Sequence, residues 1–204
     1  MVLGDFNKLI LAGGEEGLSS LVDKYLIQGL PFVFSGSDEN YYDFKKKVAD
    51  EFNIGTHEIF IVGSGKLGFS YRKGKVFTKE SDIDVAIVDE KLFSEYANIV
   101  REYIYDLRAN LFSHTDEQHK DFHYFVKCMA LGFIRPDSFL DILSRAEPKP
   151  EWEAFFKSLS SGRSEVGDHD VKGIIYRSYD DLKRYHISGL HSKLKELEVE
   201  KYAK

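Results

Sequence analysis

Between residues 83 and 88 the chain reads Ile-Asp-Val-Ala-Ile-Val, an apolar run of strand length with one acid inside it. A continuous apolar run this short is the pattern of a strand covered on both faces, and a carboxylate within it loses hydration that something else must replace. The residue two positions earlier is also an acid, Asp82. Side chains alternate along a strand, so Asp82 and Asp84 stand side by side on one face at the strand's beginning. Carboxylates that close repel each other unless a cation lies between them. Hard oxygen donors favour Mg²⁺ or Mn²⁺, which also bridge to substrate phosphates.

Two further runs have strand character, Ile59-Phe60-Ile61-Val62 and Val171 to Arg177. Helical spacing fills the rest. Leu18, Leu21, Val22, Leu26 and Leu30 predict one N-terminal helix. Tyr41, Phe44, Val48 and Phe52 predict a second, stopping near Asn53 and Gly55. A stripe from Leu92 to Leu111 follows the acid-bearing strand, and Thr115 with Gln118 forms a capping box that opens another helix through Met129. Shorter helices are expected over Pro136 to Leu143 and Pro150 to Leu159, and a last one carries Leu182, Tyr185, Leu190, Leu194 and Leu197.

The predicted class is α/β in the α+β sense: a small mixed sheet with N-terminal helices, a helical insertion and a C-terminal helix. The divisions are an N-terminal helical segment over 1–55, a core sheet from 56–90 and 165–180, a helical insertion over 91–164 and a C-terminal helix over 181–204, packed as one unit. With 204 residues, 43% of them hydrophobic, the chain is long enough to bury a sizeable core. One cysteine, Cys128, makes neither an internal disulfide nor a cysteine-based zinc site, so a reducing cytoplasm is expected. Leu9-Ile10-Leu11-Ala12 is too short for a signal-peptide core, and no later run reaches membrane-spanning length. A net charge of −6 argues against broad adhesion to nucleic acid, although Tyr71-Arg72-Lys73-Gly74-Lys75 is a local basic stretch.

Gly63-Ser64 follows the first strand and opens a helix or tight turn, where free backbone N–H groups meet phosphate oxygens and glycine permits close approach. A phosphate cradle and a metal clamp thus lie in one unit. Gly63-Ser64 followed by Ser81-Asp82-Ile83-Asp84 resembles the signature of the DNA polymerase β-like nucleotidyltransferase superfamily, a Gly-Ser turn after one strand and an Asp-x-Asp on the next. The resemblance covers about thirty residues, and more loosely the preceding helix and the Val171 strand. It implies a metal-dependent enzyme that transfers a nucleotidyl group from a nucleoside triphosphate, ATP being the favoured donor, to an unknown hydroxyl acceptor with release of pyrophosphate. Gly63 and Ser64 would face the triphosphate, and Asp82 and Asp84 the metals.

The family normally adds a third carboxylate on its third strand, as general base or metal ligand. Val171-Lys172-Gly173-Ile174-Ile175-Tyr176 has none, so Asp168 or Asp170 is expected to supply it, with Asp170 favoured. The long loop at 70–80 is a second departure. The alternative reading is a catalytically impaired nucleotide-binding or regulatory module, of the kind found in toxin–antitoxin or phage-defence systems.

Lys66 is expected either to touch a phosphate or to stand as a solvated loop lysine. Gly63-Ser64-Gly65-Lys66 is not a P-loop, because Phe60 and Leu67 occupy positions that motif needs for Gly and for Ser or Thr. His119 and His123 have zinc-binding spacing but read as a surface pair without the metalloprotease glutamate. Tyr176, Arg177, Tyr185 and His186 form either a base pocket or ordinary core.

Overall fold

The three apolar runs lie in one sheet, and their order fixes what surrounds the acids. The structure is a computed structural model that describes residues 1–138 and 152–202. Strands β1 (Ile59–Val62), β4 (Ile83–Val88), β5 (Phe133–Ile134) and β6 (Val171–Tyr176) form a mixed sheet in the order β1-β4-β6-β5. β1 runs antiparallel to β4 and sets Val62 opposite Asp84. β6 runs parallel to β4 and sets Lys172 beside Asp84. The short β5 pairs antiparallel with the far end of β6, Phe133 opposite Tyr176. Two more short strands, β2 (Phe69–Ser70) and β3 (Lys75–Val76), make a separate hairpin that holds the basic stretch.

Parallel neighbours need a crossover, and here it is helical: α4 (Glu90–Arg108), α5 (Asp116–Ala130) and α6 (Trp152–Leu159) lie between β4 and β6 in the chain. Alternation along the strands sends Ile61, Ile83, Val85 and Ile175 to one face. There they meet α2 (Asp38–Phe52), α4 and α6 through Phe44, Val100 and Trp152. Val62, Ala86, Ile174 and Tyr176 point to the other face, against α1 (Leu3–Leu21) and α7 (Tyr179–Tyr202) through Phe6, Ile10 and Leu190. Burying each such aliphatic or aromatic side chain stabilises the fold by roughly 1.5–3 kcal/mol. On the first face Gly173 lets aromatic rings lie flat on β6, since a Cβ there would stand 2.3 Å from Phe156 Cζ and 2.4 Å from Trp152 Cζ2.

Several expected helix ends hold. Ser37 Oγ accepts from the Asn40 amide at the start of α2, and Asn53 closes it with φ 52°. The Thr115–Gln118 capping box opens α5. Other boundaries move. α1 starts at Leu3, bends at Gly14 (φ 54°) and passes into a single π-helical turn over Val22–Ile27, so Leu30 lies beyond it and is exposed. The third apolar run leaves the sheet at Tyr176, one residue before Arg177. Pro136–Ser138 is a 3₁₀ turn, and the remainder of the helix expected to Leu143 lies outside the described residues, as does the start of the helix expected from Pro150. Among the described residues, no helix is long and apolar enough to cross a membrane.

Candidate functional site

The pairing of Val62 with Asp84 carries the chain from β1 straight over the acid. The next residue, Gly63, has φ +65° and opens the single-turn helix α3 (Gly63–Leu67). A Cβ on Gly63 would lie 2.9 Å from Asp84 Oδ2, inside contact distance, so glycine is required here both by backbone conformation and by closeness to the carboxylate. The Gly-Ser turn and the Asp-x-Asp strand are thereby brought into direct contact.

Asp82 and Asp84 line a cleft of about 860 Å³ that Gly63 and Ser64 also line. The β2–β3 hairpin forms another wall and turns Arg72, Lys73 and Lys75 toward the same space. A pair of acids facing a basic wall suits a polyanionic ligand that arrives with a divalent cation. Burial, first of all, raises the Asp84 carboxyl above the usual carboxylate range; Arg135 and Lys172 oppose the shift, while Asp82 and Asp137 add to it. Asp82 is ion-paired, its Oδ2 accepting from Lys172 Nζ at 2.5 Å, and that hydrogen bond is the leading cause of a raised Lys172 pKa.

His169 steadies the approach to Asp82. Its Nδ1–H donates to the Ser81 carbonyl at 2.9 Å, and its ring packs on Phe77 at 4.7 Å. The loop before β6 is in this way tied to the residue before the first acid.

The remaining expected residues divide. Lys66 is not brought to the cleft. It is 6% exposed, and its Nζ donates to the carbonyls of Gln28 and Gly29, the latter at 2.5 Å, where the π-helical turn ends. Burial lowers its pKa to about 8. The helical turn that presents the Gly63 and Ser64 end to the cleft sends Lys66, three residues on from Gly63, into the protein. Asp170 gives its backbone oxygen to the Ile83 amide at 2.8 Å while its side chain is exposed. Asp168 lies over Gly162, whose added Cβ would meet Asp168 Oδ1 at 3.0 Å. Neither acid lines the cleft or figures among the charges that act on Asp84.

What the sequence reading missed comes largely from β5. Arg135, just after that strand, lines the cleft, and its Nη2 lies 3.4 Å from Asp137 Oδ2. The only sequence signal was a charged Arg-Pro-Asp following the apolar pair Phe133-Ile134. Lys172 carries no motif of its own, and only the β4–β6 register brings it beside Asp84.

At the inner end, Tyr176, Tyr185 and His186 line the cleft, whereas Arg177 turns away to Asp181 at 3.0 Å. His186 is 4% exposed, and burial, assisted by Arg72, lowers its pKa to about 4. Its ring nitrogens and the Tyr176 hydroxyl have no hydrogen-bond partner among the described residues. Arg72 spans this end, donating to the Tyr185 hydroxyl at 3.4 Å and lying 5.0 Å from that ring's centre.

Another groove, of about 800 Å³, lies between α5 and α7 and shares Arg72 and Tyr185. Two of its cations are paired, Arg177 with Asp181 and Lys193 with Glu196, and it lacks an adjacent acid pair, so the acid-bearing cleft is the candidate site. His119 and His123 contact each other at 3.1 Å on the exposed side of α5 and do not line the cleft.

Among the described residues no group of three or more His, Cys, Asp or Glu is gathered to hold a metal ion. Three carboxylates line the cleft: the strand pair Asp82 and Asp84, and Glu80, which accepts from Thr78 Oγ1 at 2.6 Å; the strand pair, whose Asp84 faces Gly63, is the candidate donor set. Two hard oxygen donors fit an ion that completes its shell from ligand phosphates and water. Comparison with family models, with curated proteins and with solved structures gives no match.

Proposed function

We propose that the cleft binds a nucleoside triphosphate, with ATP as the favoured donor, together with Mg²⁺ or Mn²⁺, and that the protein transfers the nucleotidyl group to a hydroxyl acceptor with release of pyrophosphate. The observation that carries this reading is the contact between the two halves of the motif. Gly63 is held against Asp84 so closely that a Cβ would stand 2.9 Å from the carboxylate, with Ser64 and Asp82 lining the same cleft.

In this reading Asp82 and Asp84 hold the metal, which when bound supplies positive charge to the triphosphate and to the transferring group. Gly63 and Ser64 position phosphate oxygens through N–H and hydroxyl donors, since the glycine backbone approaches without a side chain in between. Arg72, Lys73 and Lys75 on the hairpin offset the remaining phosphate charge. Tyr176, Tyr185 and His186 form the inner end, where a base would find aromatic surface and polar atoms.

A second reading, nucleotide binding without turnover in a regulatory module, is favoured by one observation. The β6 position beside Asp84 carries Lys172 rather than an acid that would accept the acceptor's proton. Incubation with each α-labelled NTP and Mg²⁺ or Mn²⁺, following pyrophosphate and the fate of the label, separates the two. Transfer of label with pyrophosphate release is expected. Binding with no pyrophosphate would replace enzyme by binder, and no binding of any NTP would remove both readings.

A further inference from the structure

The third strand brings Lys172 to the acid pair. β6 lies parallel to β4 with Lys172 beside Asp84, and side chains paired across neighbouring strands rise from the same face about 4.8 Å apart. From there the ammonium reaches diagonally to Asp82 Oδ2 at 2.5 Å. The two side chains are 41% and 42% exposed; Asp82 lines the cleft, and Lys172, which is not among the lining residues, reaches the site through this ion pair. Arg135, just after β5, lines the same cleft, and its charge acts on both Asp84 and Lys172. The acid pair is therefore already flanked by two fixed cations.

This bears on how many metal ions the site can take. Mg²⁺ demands near-octahedral oxygen coordination and is reluctant to shed water. An ion on the triphosphate side draws several of its ligands from phosphate oxygens. An ion on the acceptor side has few of these and depends on carboxylates. Here one oxygen of Asp82 pairs with an ammonium, Glu80 on the cleft wall is held by Thr78 Oγ1 at 2.6 Å, the β6 position that would have offered another carboxylate holds that same lysine, and both nearby cations repel a second dication.

We infer that the site takes one divalent ion with the nucleotide, and that Lys172 is a built-in cation standing where a second ion would sit between Asp82 and the acceptor. This rests on the nucleotide reading above. Lys172 is a positioning residue in this scheme: it neutralises Asp82 and, with three N–H donors of which the Asp82 contact uses one, holds an oxygen on the acceptor side.

The test counts ions bound by the whole 204-residue chain. Mn²⁺ is titrated into protein saturated with the non-hydrolysable analogue α,β-methylene-ATP, with free Mn²⁺ read by electron paramagnetic resonance. The wild type is expected to bind one Mn²⁺ per chain. Lys172→Asp, which exchanges the cation for a carboxylate, is expected to bind two. Lys172→Met, which removes the charge without adding a ligand, is expected to raise Mn²⁺ affinity for the nucleotide-free acid pair about tenfold, on the scale of one removed neighbouring charge. Two ions in the wild type, one in folded Lys172→Asp, or unchanged affinity in Lys172→Met would each overturn the inference. Failure of the wild type to bind the analogue with any metal would instead remove the nucleotide reading, and this assignment with it.

Discussion

Replacing Gly63 by alanine tests the contact on which the site is built, and Gly74 provides its control. Both glycines have φ +65°, but a Cβ on Gly74 meets nothing within 4 Å, whereas a Cβ on Gly63 meets Asp84 Oδ2 at 2.9 Å. The left-handed backbone costs an L-residue about 1–2 kcal/mol, and alanine recovers about 0.5 kcal/mol of that by restricting the unfolded chain. Gly74→Ala should therefore lose about 1 kcal/mol. Gly63→Ala carries the same backbone cost and must also push the carboxylate aside by several tenths of an ångström, in a strand whose neighbours are fully buried. Because the displaced atom is the end of a side chain that lines the open cleft, the added cost is at the low end of overpacking, about 1 kcal/mol, for a total of about 2 kcal/mol. Urea denaturation of the three proteins gives the stabilities, and Mn²⁺–ATP titration gives the functional side. Gly63→Ala is expected to weaken metal–nucleotide binding by at least about tenfold through the displaced Asp84, the equivalent of 1.4 kcal/mol. Equal stability losses in the two variants, with unchanged binding in Gly63→Ala, would refute the close contact.

Two other outcomes follow from buried groups. His186 has a folded pKa of about 4 against about 6.5 for a free histidine, so between those values the unfolded chain binds more protons. Its contribution is complete above about pH 6.5 and is lost as pH falls toward 4, by roughly 3 kcal/mol; His186→Leu should remove that part of the pH slope, and identical slopes in urea titrations at pH 7 and 4.5 would contradict it. Lys66→Met should cost about 2 kcal/mol by leaving the Gln28 and Gly29 carbonyls without their donor, with nucleotide affinity unchanged; a tenfold loss of affinity at constant stability would put Lys66 on a phosphate after all.

The acid-bearing strand β4 and its neighbours β1 and β6 were legible because continuous apolar runs of four to six residues leave few other choices. The Gly63–Ser64 turn and the Asp82–Asp84 pair were legible as positions because strand and turn patterns are local, as were the end of α2 at Asn53 and the start of α5 at its capping box. What escaped was set by pairing. β5 has two residues, too few for any periodicity, yet it delivers Arg135 and Asp137 to the acids. The β4–β6 register decides that Lys172, and not Asp170, stands beside Asp84, and nothing local to either strand encodes it. Lys66 illustrates the same limit in a helix. Its closeness in sequence to Gly63 and Ser64 pointed to a phosphate, while the α3 turn carries it inward to the carbonyls of Gln28 and Gly29.

We propose that Asp82 and Asp84, with the Gly63–Ser64 turn, hold a metal–nucleotide complex. Isothermal calorimetry of ATP binding in the presence of Mg²⁺, in its absence, and in an Asp82→Asn, Asp84→Asn double variant that keeps the shape of both side chains tests it directly. Binding is expected to need the divalent ion and to fall at least about a hundredfold in the variant, a loss of about 2.7 kcal/mol. ATP affinity that is the same with and without Mg²⁺ and unchanged in the double variant would contradict it.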